Sequence, residues 1–555
     1  MKRLLLSLSL ATIGLQPVAA EEAAEPQGLT PQILYRFLLG EIAQQRGQGG
    51  AAVELFDLLT EESADPVLGR RAAQLAIANN RFGDALRLTA RWYNNSKSPE
   101  AAEWLVALAL RSPDPERSRI PLQQVLTDAG SRREALWRYY AEQLPEAGSP
   151  TAIYPLTRDL TEPYKTEAGA WWVRANAAAQ VNRKDEALDA LEQALRLNDN
   201  FEDAAVLRAQ LRARNGLAEA SKQLQAYVSS HPKAMRARLM LALSLADLKR
   251  GQEALVMLQA LRKEAPESAE VAYQLGRQLA GMGQGKAAEG ALQDAIRLRY
   301  RDTDTAYLLL GRLAAERDDV DAALRAWDEV EGGAFLNAQR QAAELLARKG
   351  RLAEARSRVS EAIAQQPAAR REFLRIDARV LSLAGQQQQA YDVLSEALQG
   401  SADESETDLL YDRALVAEKM NRLDWLERDL RAILKTQPEN STALNALGYT
   451  LADRTDRHTE ALTLISKALE KEPDNPAILD SMGWVKFKLG QLAEATDYLR
   501  TAYSKLQEPD VAAHLGEVLW LTGKQAEARA LLQDALKKHP DEAVLLDVMK
   551  RLQVK

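Results

Sequence analysis

A small residue, almost always alanine, recurs along most of this chain at intervals of 32 to 36 residues. The positions that share it are Ala52, Ala85, Ala187, Ala220, Ala254, Ala288, Ala323, Ala355, Ala390, Ala461, Ala495 and Ala528, with Leu426 in the matching place between Ala390 and Ala461. The one large gap, from Ala85 to Ala187, is 102 residues long and leaves room for two degenerate units, near Arg119 and Ile153. A strict period of this kind predicts a chain of about fifteen units of ~34 residues.

Other residue types keep the same period. Glycine precedes the recurring residue by twelve positions at Gly40, Gly276, Gly311, Gly483 and Gly516. Alanine follows it by seven positions at Ala194, Ala295, Ala362, Ala397, Ala468, Ala502 and Ala535. Proline closes units at Pro232, Pro266, Pro367, Pro438, Pro473 and Pro540. We expect each unit to consist of two antiparallel helices that cross at the small residues. The second helix should end before the proline, because proline lacks an N–H and clashes with the preceding turn. Gly490 and Gly523 fall at the turn between the two helices, where a positive φ is expected.

The C-terminal third resembles the tetratricopeptide repeat. Residues 445–449 read Asn-Ala-Leu-Gly-Tyr, 460–462 read Glu-Ala-Leu and 473–476 read Pro-Asp-Asn-Pro, and similar segments return around Gly483 and Gly516. The resemblance implies an all-α tetratricopeptide-repeat (TPR) solenoid of stacked antiparallel helix pairs, about fifteen repeats long, wound into a superhelix with the first helices on its concave wall. A coiled coil is the alternative, but a heptad seam does not place proline at one phase of a 34-residue period.

The first twenty residues have the pattern of a secretory signal. Lys2 and Arg3 precede an apolar stretch over residues 4–15, and Pro17 lies ahead of a small-residue cleavage site ending at Ala20. The stretch is shorter than the roughly 20 residues that a spanning helix needs. We therefore predict a cleaved signal peptide; an uncleaved N-terminal anchor is the alternative. The predicted division of the chain is 1–20 signal peptide, 21–28 linker, 29–95 N-terminal arm, 96–166 degenerate proline-rich repeats that form a bend, 167–547 main array and 548–555 tail.

Cysteine and charge limit the classes of protein further. The chain has no cysteine, which excludes disulfides, thiolate metal sites and the lipid-bearing cysteine of a bacterial lipoprotein. We expect an exported protein in the periplasm of a Gram-negative bacterium. Its 79 acidic and 72 basic residues are interspersed, and no basic face or arm suggests a nucleic-acid partner.

No segment has the pattern of a catalytic or cofactor site. Residues 281–286 read Gly-Met-Gly-Gln-Gly-Lys, but a phosphate-binding loop would need glycine at Ala280, serine or threonine at Ala287 and a preceding strand. The four histidines lack metal-ligand spacing, and a nucleophile elbow is absent. We expect a protein that is not an enzyme and that carries no cofactor or metal.

The concave wall is the predicted binding surface. In this family the residue after the first-helix glycine, and the one three positions later, face the groove. The positions concerned are Tyr449, Trp484, Phe487, Glu517 and Trp520, with Asn176, Arg277 and Arg312 in the corresponding places upstream. Aromatic and arginine side chains dominate protein-binding hot spots; the alternative is that some of them pack between neighbouring helices. The lysine, asparagine and arginine set with which some members clamp a C-terminal aspartate is not found on adjacent repeats.

The whole chain resembles the exported TPR adaptors of carboxyl-terminal processing proteases. The likeness lies in the Leu29-Thr30-Pro31 start, in Tyr35, in residues 39–43 (Leu-Gly-Glu-Ile-Ala), and in the segment from Pro473 to Trp484. It implies an adaptor that docks the protease and delivers cell-wall hydrolases to it. Those adaptors are lipid-anchored through a cysteine, which this chain lacks. A structural component of an envelope export or outer-membrane assembly machine is the alternative function.

Overall fold

The structure, a computed structural model, describes residues 30–399 and 405–554, and within these ranges every regular element is helical. The predicted signal peptide (1–20) and linker (21–28) lie outside the described residues. Contacts divide the chain into two compact units, Met1–Pro266 and Glu267–Lys555. The predicted bend at 96–166 lies inside the first unit.

The first unit contains fourteen α-helices in its described part. They are α1 (Pro31–Gln45), α2 (Gly49–Glu62), α3 (Pro66–Ala78), α4 (Phe82–Ser96), α5 (Pro99–Arg111), α6 (Arg119–Asp128), α7 (Arg133–Gln143), α8 (Pro150–Thr161), α9 (Ala168–Gln180), α10 (Lys184–Leu197), α11 (Glu202–Ala213), α12 (Leu217–Ser230), α13 (Met235–Asp247) and α14 (Gly251–Glu264). Short 3₁₀ helices occur at Pro115–Ser118, Gly130–Arg132, Leu144–Glu146 and Glu162–Tyr164, all within the proline-rich segment.

The second unit contains the remaining helices of the described ranges. They are α15 (Ala269–Gly281), α16 (Gly285–Arg297), α17 (Thr303–Glu316), α18 (Val320–Asp328), α19 (Phe335–Arg348), α20 (Leu352–Gln365), α21 (Arg370–Leu383), α22 (Gln387–Ala397), α23 (Ser405–Lys419), α24 (Leu423–Thr436), α25 (Ser441–Arg454), α26 (His458–Lys471), α27 (Pro476–Lys488), α28 (Leu492–Lys505), α29 (Pro509–Leu521), α30 (Gln525–Lys538) and α31 (Ala543–Arg551). Two 3₁₀ helices lie at Gly332–Ala334 and Pro367–Ala369.

Consecutive helices pack together as hairpins from α1 with α2 to α29 with α30, with one exception: α7 packs mainly on α5 and α9, and α8 packs mainly on α9. The first helix of each pair is called the A helix and the second the B helix. In chain order the described residues hold fifteen units of two helices, in agreement with the predicted number of about fifteen, and the two degenerate units near Arg119 and Ile153 are α5–α6 and α7–α8. The last helix, α31, runs through the predicted boundary between array and tail. It covers the final pair with Leu545, Val548 and Met549.

The recurring small residues lie where the two helices of a pair cross. All twelve alanines are at most 3% exposed, and Leu426 is 2% exposed. The A-helix glycine explains the close approach: a Cβ on Gly483 would lie 2.5 Å from Cγ of Leu499 and 3.2 Å from the carbonyl oxygen of Ala495. Since real Cβ contacts are longer, only glycine lets the two backbones meet at this distance.

In most pairs the turn between the A and B helices contains a residue in the left-handed region. Gly490 and Gly523 have φ of 78° and 82° there, as the sequence predicts. In other pairs the same turn holds Asn80, Asn182 or Asp318, with φ between 58° and 67°. Asparagine and aspartate tolerate this region better than most side chains, because their short polar groups bond locally.

The N-terminal helix α1 has an apolar face that no described helix covers. Leu34, Tyr35, Leu38, Leu39 and Ile42 lie on it and are 38–66% exposed. The opposite side of α1 packs on α2, and the helix is fixed further by a bidentate ion pair: Arg71 donates to the Glu41 carboxylate at 2.6 and 2.7 Å. In the described ranges, no helix is both long enough and apolar enough to span a membrane.

Candidate functional site

Two adjoining cavities lie along the A helices of the second unit. The C-terminal cavity, of about 630 Å³, is lined by residues of α23, α25, α27 and α29, with Leu426 and Leu430 of α24 behind them. The middle cavity, of about 720 Å³, is lined mainly by α19, α21 and α23. Leu415 and Glu418 of α23 border both. These volumes are in the range of sites that enclose a ligand group.

A buried histidine forms part of the wall of the C-terminal cavity. His514 of α29 is 7% exposed, and its Nδ1 lies 3.0 Å from each carboxylate oxygen of Asp480 on α27. Its Nε2 lies 3.4 Å from the hydroxyl of Tyr449 on α25. The three side chains come from three successive A helices, so the contact forms only when the repeats stack.

Trp484 supports this cluster from behind. Its ring stacks on the His514 ring with centroids 4.1 Å apart and an interplanar angle of 24°. Its indole Nε1 donates to the Asp453 carboxylate at 3.0 Å, and the Lys488 ammonium lies 5.0 Å from the ring centroid. Trp484 is only 6% exposed and is not among the residues that line the cavity. Its ring packs against neighbouring side chains and supports the cavity wall from behind.

Burial and charge shift the pKa of several groups in the cavity. Burial alone would lower the pKa of His514, but the charge and hydrogen bond of Asp480 outweigh it, and the net shift is upward. Burial raises the pKa of Tyr449, and the charges of Asp453 and Asp480 add to the effect. Burial also raises the pKa of Glu418; the Arg454 charge opposes this shift, and the Asp453 charge reinforces it. The cavity therefore disfavours additional negative charge.

Acidic groups outnumber basic ones in the lining of the C-terminal cavity. The carboxylates are Glu418, Asp453, Glu472, Asp480, Glu508 and Asp510. Only Arg454 and His514 oppose them in the lining. Asp480 is buried, whereas Glu508 and Asp510 are exposed at the rim. The field in the cavity favours a cationic group.

The middle cavity has a different charge pattern. Glu344, 5% exposed, accepts contacts from Arg379 at 2.7 Å and from Arg340 at 3.2 Å. Arg375 pairs with Asp412 at 2.6 Å and with Asp408 at 2.9 Å. Acidic and basic side chains are thus already paired here, and the lining has no strong excess of either sign.

The predicted binding residues of the last repeats lie close together but differ in exposure. Tyr449 lines the C-terminal cavity. Phe487 lies 5.1 Å from Trp484, centroid to centroid. Trp520 is partly buried against the core around α29–α31. Glu517 is buried and receives two hydrogen bonds from Arg551 of α31, at 2.7 and 2.8 Å.

The upstream candidates lie elsewhere. Arg277 of α15 and Arg312 of α17 are exposed, and Arg312 lies 3.5 Å from Glu316 on its own helix. Asn176 is in the first unit, where its Nδ2 donates to the carbonyl oxygen of Trp172 at 2.8 Å. These three do not line either cavity. Whether any of the eight residues binds a partner stays a prediction.

Sequence reasoning missed His514, Asp480 and Glu418. The search for histidine ligands used spacings within one helix, whereas Asp480 and His514 are 34 residues apart, one repeat along the chain. A search for complementary residues separated by one repeat period would have found this pair. Glu418 has no such signal, because its placement at the junction of the cavities follows from packing alone.

The polar groups that line the C-terminal cavity are mainly hydrogen-bond acceptors. In the described part of the chain, no three His, Cys, Asp or Glu side chains are grouped as metal ligands. The hydroxyl nearest in sequence to Asp480, that of Ser481, donates to the Ala477 carbonyl oxygen at 3.0 Å. What the cavity offers a ligand is a set of hydrogen-bond acceptors beside aromatic rings.

Comparisons with known proteins agree with the repeat pattern. Tetratricopeptide-repeat models match residues 168–201, 208–269, 273–333, 411–476 and 481–543. The TPR repeat-containing protein PA4667 of Pseudomonas aeruginosa is 32% identical over 508 residues, which cover 90% of this chain and 85% of that protein.

Two solved structures of low similarity also align. The APC/C hetero-tetramer Cut9–Hcn1 aligns over 94% of this chain and 96% of its own, at 15% identity and a TM-score of 0.35. A tetratricopeptide repeat protein from Parabacteroides merdae aligns over 45% of this chain and 98% of its own, at 14% identity and a TM-score of 0.36. The repeat models and the Pseudomonas relative are the stronger matches.

Proposed function

The chain belongs to the tetratricopeptide-repeat family, and from this premise we propose that it is an exported adaptor of the bacterial envelope. In this proposal it docks a carboxyl-terminal processing protease and holds cell-wall hydrolases for cleavage. The observation that carries the proposal is the pair of cavities along the A helices of the second unit, which are open to solvent on one side and provide a concave surface for a protein segment. Repeat arrays of this family act as protein-binding scaffolds.

An adaptor needs a second surface, and the apolar face of α1 is suitable. Large apolar side chains exposed together on one helix mark an interaction site more often than apolar residues exposed singly. Tyr35, Leu39 and Ile42 of this face are among the residues that resemble the protease adaptors. Because they are 38–66% exposed, packing within the described chain does not account for them. We assign this face to the protease and the cavities to the delivered protein.

The sequence supports an envelope location for this activity. The basic start, the short apolar stretch and the small-residue site at Ala20 have the pattern of an export signal. Because the chain has no cysteine, the lipid anchor of the adaptors it resembles is not carried over to it in this proposal.

The experiment is a pull-down from envelope extract with residues 21–555 as bait, followed by binding to the purified protease. Two variants separate the surfaces: Tyr35→Ser/Leu39→Ser on α1, and Tyr449→Ala in the C-terminal cavity. Val67→Ser/Ile120→Ser is the matched control, since both residues are exposed apolar positions elsewhere in the first unit, 62% and 77% exposed.

The expected result is loss of the protease with the α1 variant only and loss of the hydrolase with the cavity variant only. Trp484→Ala is a poor choice for this purpose, because the side chain is buried. Recovery of a stable stoichiometric complex with an outer-membrane protein, and of no processing protease, would replace the adaptor by a structural component of an export or assembly machine.

A further inference from the structure

We infer that the C-terminal cavity holds a basic side chain, lysine or arginine, of an extended segment of the bound protein. The inference rests on the proposed function and adds the chemistry by which one class of segment is selected. It concerns α23, α25, α27 and α29, which together line the cavity.

Charge is the first argument. Six carboxylates line the cavity against Arg454 and His514. Some of them already have partners: Asp480 holds His514, and Asp453 accepts from Trp484 and lies 3.1 Å from Arg454. Glu418 differs, because it makes no side-chain hydrogen bond or ion pair within the described ranges although it is partly buried. A partly desolvated carboxylate without a partner gains from a cation that enters beside it.

The polar groups of the wall give a second argument. Beside the carboxylates, the lining contains the side-chain amides of Asn445 and Asn475 and the hydroxyl of Thr442, all of which have acceptor oxygens. Ammonium and guanidinium groups carry several donors and no acceptor, so they suit a wall of acceptors. Tyr449 adds an aromatic face to the same wall, along which the aliphatic part of a lysine or arginine side chain can lie.

The middle cavity shows why the selectivity is local. Its buried carboxylate, Glu344, is already contacted by Arg340 and Arg379, and Arg375 is neutralised by two aspartates. A basic side chain would gain little there. Glu418, at the junction, is the one charged residue that the two cavity linings share. The C-terminal cavity therefore selects a basic residue of the bound segment, whereas the middle cavity imposes no such requirement.

The test uses an array of nine-residue peptides with randomised small polar flanks and lysine, arginine, norleucine or glutamate at the centre. The probe is the labelled chain, residues 21–555. Wild type is expected to bind lysine- and arginine-centred peptides about tenfold more tightly than norleucine-centred ones, and glutamate-centred ones least. The Glu418→Gln/Asp510→Asn variant is expected to bind the lysine and norleucine series equally. Both substitutions preserve side-chain shape, and circular dichroism melting checks that the variant folds.

The matched control is Glu470→Gln/Asp497→Asn, which removes the same charge from exposed positions on the B helices α26 and α28. It should keep the wild-type preference. Equal binding of lysine and norleucine series by wild type would overturn the inference and leave the groove as a binding site. A preference that the control loses as well would also overturn it, because net charge would then be the cause. Absence of binding to every series would overturn the inference together with the groove half of the proposed function, while the α1 half would still be judged by the pull-down.

Discussion

The carboxylate of Asp480 holds the imidazole of His514 from the preceding repeat, with both of its oxygens 3.0 Å from Nδ1. Asp453 and Tyr449 of α25 also face the ring or its neighbours, and Asp510 lies one turn before it on α29. Burial opposes protonation of the ring, but the surrounding carboxylates reverse the effect and the pKa of His514 is raised. The folded state therefore binds a proton at His514 more tightly than the unfolded chain does.

We expect the second unit to lose stability as the pH rises. A folded-state pKa above the unfolded value, about 6.5 for histidine, gives stabilisation that is fully present below that value and is lost as the pH rises through the folded pKa. Melting of wild type from about pH 6 to about pH 9 should show this decline, and His514→Gln should flatten it. Asp480→Asn should also flatten it, because the raised pKa of His514 depends on the Asp480 charge. An unchanged slope in both variants would contradict the assignment.

Two glycine substitutions should change stability in opposite directions. Gly483→Ala places a methyl group 2.5 Å from Leu499 Cγ and 3.2 Å from a backbone carbonyl, so we expect a loss of about 1–3 kcal/mol from overpacking. Gly290→Ala, on α16, meets no atom within 4 Å and should gain about 0.5–1 kcal/mol, the ordinary helix preference for alanine. Urea unfolding measures both. Because repeat arrays couple mainly to nearest neighbours, hydrogen exchange after Gly483→Ala should increase in α25–α30; a uniform increase along the whole chain would contradict this.

Much of the fold was predictable because its determinants are local and periodic. The crossing alanines, the A-helix glycines and the terminal prolines each act within one helix pair, and each B helix that precedes a predicted proline ends two residues before it, as α26 does before Pro473. The boundary at 547–548 was less predictable. The last helix has no following B helix in the described residues, and its packing shows its role: Leu545 and Val548 cover the final pair.

The site was less predictable because its contacts join different repeats. The repeat register placed Tyr449 and Trp484 on the inner side of their helices, but it could not tell that Trp484 is covered by His514 whereas Tyr449 lines a cavity. Glu517 occupies the equivalent position and is taken up by Arg551 of the terminal helix. A consensus of one repeat specifies the direction of a side chain, and its neighbour one period away decides whether it stays accessible.

Loss of one buried carboxylate should destabilise the second unit strongly. Asp429 of α24 is 1% exposed and accepts two hydrogen bonds from Arg413 at 2.7 and 2.8 Å. Asp429→Ala leaves the Arg413 guanidinium largely buried without its counter-charge, and we expect a cost of about 3–5 kcal/mol in urea unfolding. Glu253→Gln in the exposed pair with Arg250 is the control and should leave the unfolding midpoint unchanged. Replacing Asp429 and Arg413 together with Leu and Met should recover most of the loss; if it does not, packing and not charge explains the single variant.

Substitutions at Trp484 distinguish a side chain that binds the partner directly from one that packs between neighbouring helices. Trp484→Phe keeps a ring against His514 but removes the indole N–H that Asp453 accepts. We expect it to cost about 1–3 kcal/mol, because a hydrogen bond to a charged acceptor is lost, and Trp484→Ala to cost about 3–5 kcal/mol through the cavity it opens. Tyr449→Phe, by contrast, removes only a long hydroxyl contact to His514 Nε2 and should leave stability almost unchanged. Urea unfolding and peptide binding are measured on the same preparations. If Trp484→Phe lost peptide binding at wild-type stability, the side chain would be a direct ligand contact and not a support for the cavity wall.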